Sequence, residues 1–582
     1  MTVRIVTLAG TLGIAVAASA PLQGPPAPAG HPFEALPVSV VVAVVGNPAI
    51  QQTPAVAGPE PLVGPPAVGG EIFRTSDRCL ACHKGVTTSA GLDVSIGFDW
   101  RASMMANSAR DPYWQAAVRR EVTDYPEAAA AIEDKCSRCH MPMASVVARE
   151  ARGTGSVFGN LPIGQSAGPE AALAADGVSC AACHQIAPAG LGTEASYTGG
   201  FTIDLDTPPE GRPVFGPFEP DSGGVGIMRS ATGFTPTEGL HVQSSELCAS
   251  CHTLFTHAVL PGGAEGPEFP EQVPYLEWQV SAYAAEETSC QDCHMPLAGE
   301  DVPVTAVLGR ARPDVSRHVF RGGNFFMLRL LNRYRAELGV TALPQELMLT
   351  ADRTEAHLRE ATVALDVAEA RLADARLVAD IEVRNLAGHK FPTAYPSRRA
   401  WLHVSVTDGR GRVVFESGAF SPDGRIVGND NDDDPRRYEP HYTEIDRADE
   451  VQIYEGVMAD GNGSVTTGLM TAQRWLKENR LLPRGFDAAR AGERIAVRGG
   501  AASDSDFTAG GDRIRYSVAV DENAGPFTIE AELWFQPIAY RWAENLAEYD
   551  AFETQRFVRY YRTMAGASAI PLARTSTVVP PS

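Results

Sequence analysis

The 582-residue chain has no cysteine outside five C-x-x-C pairs, and none near its N-terminus, which argues against a lipid anchor. Beyond the first twenty residues it has no apolar run long enough to cross a bilayer. Val38 to Val45 falls far below the roughly 20 residues that a helical span requires. No Walker loop, no G-x-G-x-x-G after a strand and no Ser/His/Asp set with useful spacing is present, which removes the common nucleotide-binding and nucleophilic-hydrolase readings. Positive charge is short as well: 49 Lys and Arg stand against 71 Asp and Glu, for a formal net charge of −22. A polyanion of this kind is repelled by nucleic acid and by anionic lipid, so its charge favours a basic partner.

What is present is ordinary in bulk. Apolar residues make up 44% and charged residues 21%, the balance of a soluble globular protein. The length calls for two or three domains. Residues 1–20 read as a secretory signal peptide, with Arg4 as the basic start, Ile5 to Val16 as the apolar run and Ala17-Ala18-Ser19-Ala20 as the small-residue end. Pro21 disfavours cleavage just there, so the cut itself is left open, with a retained anchor as the alternative. Residues 21–70, rich in Pro, Ala, Gly and Val, have the composition of a linker.

All ten cysteines lie in residues 71–345, and every second one is followed by histidine. The five motifs are Cys79-Cys82-His83, Cys136-Cys139-His140, Cys180-Cys183-His184, Cys248-Cys251-His252 and Cys290-Cys293-His294. Two thiols three residues apart reach the two vinyl groups of one haem as thioethers, and the next imidazole then lies under the iron. Zinc would take the pairs two at a time and needs no histidine after each. Disulfides would not place histidine after every second cysteine either. Five covalent haems c are therefore expected. Because the thiols must be exported before haem is attached, this agrees with the signal peptide and with a periplasmic or extracellular location.

Five irons take up to five distal ligands. Of the eight remaining histidines, His241, His318 and His389 rank first, because glycine beside them lets backbone approach a flat cofactor. His257 follows, five residues past a motif histidine. His31 lies in the linker, and His357, His403 and His441 read as ordinary helix, strand and loop residues. One internal echo stands out: Asp99-Trp100-Arg101-Ala102-Ser103 matches Glu277-Trp278-Gln279-Val280-Ser281 as acid-Trp-x-x-Ser. Met141-Pro142 and Met295-Pro296 each follow a motif histidine, where proline stops the short motif helix.

After residue 345 the pattern becomes period-two alternation. Ala379, Ile381 and Val383 alternate with polar neighbours, as do Leu402, Val404 and Val406; Ile514, Tyr516, Val518 and Val520; and Ile529, Ala531, Leu533 and Phe535. Repeated half-buried strands with turns between them read as a β-sandwich. Trp542, Leu546, Tyr549 and Phe552 recur at helical spacing. The expected fold is α+β with two domains: a mainly α and irregular multihaem domain over 71–345, then an all-β, sandwich-like domain with a terminal helix over 346–565. Residues 566–582 read as a frayed tail.

The run of C-x-x-C-H motifs, the Trp-x-x-Ser element and the two C-H-M-P sequences resemble the multihaem cytochromes that include cytochrome c nitrite reductase and hydroxylamine oxidoreductase, over roughly residues 71–330. The segment Gly388 to Arg399 (G-H-K-F-P-T-A-Y-P-S-R-R) is similar to the β-domain segment that follows such haem domains. In this group W-x-x-S-x-H often carries a distal ligand. The resemblance thus puts Met105, with Met104 as the alternative, and Tyr283 in that place. A thioether ligand raises the haem potential relative to a second histidine; packing is the commoner fate of methionine. The chain departs from both named enzymes. It has no C-x-x-C-K, which nitrite reductases carry at the catalytic haem, and hydroxylamine oxidoreductases have more than five haems.

The resemblance implies the fold and a redox role. An electron carrier is favoured over an enzyme, because enough candidate ligands exist to close all five irons. The alternative is an oxidoreductase acting on a small nitrogen or sulfur compound at one open haem, with Arg317, Arg321 or Tyr283 nearby. A structural role in a surface complex, with the β-domain docking, is a third reading. Expected partners are redox proteins, including other cytochromes, with no nucleic acid and no stable membrane span in the mature chain. The acidic run Asn429 to Asp434 reads as a solvated loop rather than a Ca²⁺ site, since it lacks the glycine and late glutamate of an EF-hand loop.

Overall fold

The computed structural model describes residues 72–581. The expected signal peptide, the linker and His31 lie outside them. Among the described residues no helix is long and apolar enough to cross a membrane.

The first half is built of short helices joined by loops, as expected where cofactor fills space that side chains otherwise would. Motif 1 lies on and just after α1 (Asp77–Leu80). α2 (Ile96–Arg101) follows, then α3 (Pro112–Asp124), whose start is fixed by Asp111: its carboxylate accepts from the Tyr113 and Trp114 N–H groups at 2.8 and 3.1 Å. Motifs 2 to 5 end α4 (Ala129–His140), α5 (Cys180–His184), α6 (Ser245–His252) and α8 (Cys290–His294); α7 (Pro274–Gln279) precedes the last of these. α4 stops at Met141 and a new helix starts at Pro142, while α8 stops at Met295 before Pro296, so proline does punctuate both motifs. A hairpin of β1 (Leu254–Leu260) and β2 (Ala264–Gln272) separates α6 from α7. α9 (Phe325–Arg333) and α10 (Pro344–Ala361) close this half.

The second half is the β-sandwich expected from the alternation. One sheet orders β3 (Val363–Ala373), β4 (Arg376–Asn385), β11 (Gly511–Ala519) and β7 (Glu444–Ile445). The other runs β9 (Val465–Thr466), β8 (Ile453–Ala459), β5 (Arg399–Thr407), β12 (Phe527–Gln536) and β13 (Ile570–Val579); β10 (Arg474–Glu478) pairs with β8 and β6 (Val413–Ser417) with β5. Ala379, Ile381, Val383, Ile514, Tyr516 and Val518 of the first sheet share one core with Leu402, Val404, Val406, Ile529, Ala531 and Leu533 of the second.

Three expectations need correction. The tail expected over 566–582 is not frayed as far as residue 581. β13 pairs along β12 from Phe527–Val579 to Phe535–Ile570 and buries Ile570, Leu572 and Val579. Its run of Arg574, Thr575, Ser576 and Thr577 and its Pro571 hide the strand in the sequence; Pro571 falls where the register shifts, at an edge, where proline costs no ladder bond. The helix expected through Tyr549 is broken. A short helix over Tyr540–Glu544 and a turn of 3-10 helix end at Glu548, and α11 starts afresh at Phe552 (Phe552–Met564). Lastly, the 345/346 boundary falls inside α10, and the described residues form one compact unit. α3 packs on α11 through the Arg119–Glu553 ion pair (2.8 Å) and the Tyr113 and Phe557 rings (5.0 Å between centres), and Tyr113, Tyr275 and Phe325 join the same core as the sandwich. The α+β arrangement of two regions holds, with a continuous core between them.

Candidate haem-binding site

None of the ten cysteines is in a disulfide, and all are half-buried. Burial pushes the Cys183 thiol up to about 12 and that of Cys136 higher still, which keeps both in the neutral thiol form. Cysteines of different motifs touch: Cys79 lies against Cys180, Cys139 against Cys251 and Cys248 against Cys290, while Cys183 is near Cys251. Motif 3 thus borders motifs 1 and 4, and motif 4 borders motifs 2 and 5. All five sites are contiguous.

Four motif histidines turn Nδ1 to a backbone carbonyl: His83 to Val304 (2.7 Å), His140 to Ser108 (3.1 Å), His184 to Phe215 (2.5 Å) and His294 to Arg321 (2.5 Å). A carbonyl only accepts, so Nδ1 carries the proton and Nε2 presents its lone pair. Burial lowers His140 and His294 to about 4 and lowers His184 and His252 as well, which keeps these rings neutral, the ligand form.

Two of the three leading distal candidates face motif histidines. The His184 and His318 rings are 6.2 Å apart at 21° between planes, and His294 and His389 are 6.2 Å apart at 12°. An iron bound at about 2 Å by one nitrogen from each of two coaxial imidazoles, each nitrogen about 1.1 Å from its ring centre, holds the centres about 6.2 Å apart. His318 Nδ1 meets the Ser316 carbonyl (3.2 Å) and His389 Nδ1 that of Lys390 (3.0 Å), again sparing Nε2. The residues therefore fit haem. His357, read as an ordinary helix residue, also lies 6.2 Å from His294 but inclined at 66°. Nothing in the periodicity of α10 marks it.

The other candidates face no motif imidazole at this spacing among the described residues. His241 Nε2 meets the Ile186 carbonyl at 2.9 Å, with the ring against Phe215. His257 lies on β1 between Glu265 (3.4 Å) and Lys135 (3.5 Å). Met105 is half-buried, and Met104 packs on the main core. Tyr283 spends its hydroxyl on the Leu386 carbonyl and its ring on the Arg484 guanidinium, 5.0 Å away.

Of the two candidate cations, Arg317 alone has a carboxylate within ion-pair distance among the described residues. Arg317 forms a two-pronged pair with Asp99, and Arg321 donates to the Cys293 carbonyl at 2.8 Å. Sequence reasoning missed Arg398. Desolvation lowers its guanidinium to about 10 beside His252, and it donates to the Thr393 carbonyl and the Asn324 side-chain oxygen, both neutral acceptors. A half-buried cation with only neutral acceptors suits an anion, and a haem brings two propionates.

Non-haem metal sites find less support. Among the described residues, His441, Asp504 and Asp512 alone group closely enough to share a cation. Yet His441 Nδ1 accepts from the Gln452 and Asn479 amides, whose own oxygens are held by the Tyr442 and Glu455 N–H groups. The proton therefore sits on Nε2 and is donated to Asp504 at 2.9 Å, so the network is complete without an ion. In the acidic run, Asp430, Asp432, Asp433 and Asp434 pair with Arg437, Arg399, Arg425 and Arg436.

No protein-family model matches the chain, and no curated protein matches it. Among solved structures it is similar to a penta-heme cytochrome c552 from Thermochromatium tepidum, with a TM-score of 0.50 and 16% identity, over 87% of this chain and all of that one. The chain has the fold of a multihaem c-type cytochrome.

Proposed function

We propose that the protein is an exported electron carrier holding five haems c, one per motif. The observation that carries this reading is the close approach of cysteines of different motifs, in contact within motifs 1 and 3 and within motifs 2, 4 and 5, with Cys183 near Cys251 between the two groups. Haem supplies reversible one-electron chemistry when bound. The cysteines anchor it, and the motif histidines, fixed through Nδ1, offer neutral Nε2 to iron. His318 would hold the iron of motif 3 and His389 that of motif 5. His241, His257 and Met105 are assigned to the remaining three irons; His257 gives up a polar contact to serve, and His241 binds through Nδ1 or leaves Ile186. The protein acts in the periplasm or outside the cell, and its net charge of −22 favours redox partners with basic docking faces.

Low-temperature EPR of the oxidised protein tests the carrier against the enzyme. Low-spin signals alone, unchanged by cyanide, are expected. A high-spin ferric signal that cyanide or nitrite removes would instead make the protein an oxidoreductase of a small nitrogen or sulfur compound.

A further inference from the structure

The acid-Trp-x-x-Ser echo is repeated in space as well as in sequence. Each copy lies on a six-residue helix, α2 or α7, with the acid fourth and the tryptophan fifth. The Ser103 and Ser281 N–H groups each donate to the tryptophan carbonyl at 2.9 Å and end the helix. The Trp100 indole donates to the Val178 carbonyl and the Trp278 indole to that of Thr288, both at 2.9 Å. Val178 and Thr288 each stand two residues before the first cysteine of a motif, Cys180 and Cys290. Their N–H groups return to the carbonyls of Met105 (3.0 Å) and Tyr283 (2.9 Å), again equivalent positions. One copy therefore grips the segment leading into motif 3, and the other the segment leading into motif 5.

The acids reach the opposite side of the same two sites. Asp99, 5% exposed, takes both prongs of Arg317 at 2.9 and 2.7 Å, and Arg317 immediately precedes His318. Glu277, fully buried, accepts from the Lys390 N–H (3.1 Å) and the Thr393 hydroxyl (2.8 Å), and Lys390 immediately follows His389. A further arginine braces each acid, Arg353 beside Arg317 at 3.1 Å from Asp99, and Arg480, the one arginine on Glu277, at 2.8 Å.

We propose that Asp99 and Glu277 are positioning residues that do the same thing at two haems. Each fixes the distance between the motif histidine and the sixth-ligand histidine, at motif 3 for Asp99 and at motif 5 for Glu277. Neither touches iron; Asp99 acts through the side chain of the residue before His318, and Glu277 through the backbone N–H of the residue after His389. Both roles rest on the ligand assignment already proposed, with His318 and His389 as those sixth ligands.

The test uses the full-length protein with its haems attached. Asp99→Asn and Glu277→Gln are each expected to keep five haems by intact mass and to turn one low-spin haem of the five high-spin by EPR, with Asp99→Glu restoring the low-spin signal. Arg317→Lys and Thr393→Val leave each carboxylate its other partners, so they guard against a failure to fold; the same signal is expected at lower amplitude. Unchanged spin states in all four variants overturn the proposal. His318→Ala and His389→Ala separate the two ways of failing. If these open one haem each while the acid variants do not, positioning alone is wrong. If they too change nothing, the ligand assignment is wrong and the proposal falls with it.

Discussion

Replacing Asp432 by alanine is expected to destabilise the protein by about 3–5 kcal/mol, the usual cost of stranding one charge of a buried pair. Arg399 opens β5 and Asp432 lies in the acidic run; both side chains are 1% exposed. The guanidinium meets both carboxylate oxygens, at 2.8 and 2.9 Å, and its Nε donates to Gln536 at 2.8 Å. Asp432 also accepts from the Ile426 N–H at 2.8 Å. Alanine removes the carboxylate that is hydrogen-bonded to Arg399 and leaves a guanidinium that water cannot reach. Denaturant unfolding of the haem-loaded protein reads the loss. A fall below about 1 kcal/mol, the range of exposed pairs, would contradict the picture of a sealed pair. Converting both residues to apolar ones of similar volume is expected to recover most of the loss, since such replacements are often neutral.

The second large effect is a pH dependence. Glu271, at the end of β2, is 3% exposed. Desolvation pushes its carboxyl up to about 8; Glu121 adds to the rise, while the Gln272 amide and Lys135 oppose it. An unfolded glutamate titrates near 4.3. Between these values the folded chain holds a proton that the unfolded chain has lost, so stability falls as pH rises across the window and levels off above it. A shift of this size corresponds to about 5 kcal/mol as an upper bound. Burial also raises Asp111 to about 6 and Asp512 to about 7, with the same sign, but their contributions level off at lower pH. Glu271→Gln is therefore expected to stabilise the protein at pH 8 and to flatten the last part of the decline. Unfolding midpoints at pH 5, 7 and 8.5 check this. An equally steep decline in the variant would show that Glu271 ionises freely.

The parts of the molecule legible in the sequence are those whose chemistry is local. Thioether attachment demands cysteines three residues apart with histidine next, so all five motifs are visible in a one-dimensional pattern. The strands β4, β5, β11 and β12 are visible because a half-buried strand imposes a period of two. Which distal histidine meets which motif is not local: His389 comes from the sandwich half, 95 residues after His294, and only packing brings the rings together. His357 is hidden in the sequence for the same reason. Gly388 suggests room for a cofactor, whereas a side chain there would meet the Trp278 and Tyr283 rings of the echo at 3.5 and 3.4 Å. β13 is hidden because Thr, Ser and Pro carry its edge positions, and the loop-like composition outweighs three well-spaced apolar residues.

The claim on which everything rests is covalent attachment of one haem at each of the five motifs. Intact mass spectrometry of the purified protein, under conditions that release non-covalent haem, measures it directly. A mass equal to the polypeptide plus five haems is expected, falling by one haem when both cysteines of a single motif are replaced by serine. A polypeptide mass with no haem increment, or one unaltered by those replacements, would contradict it.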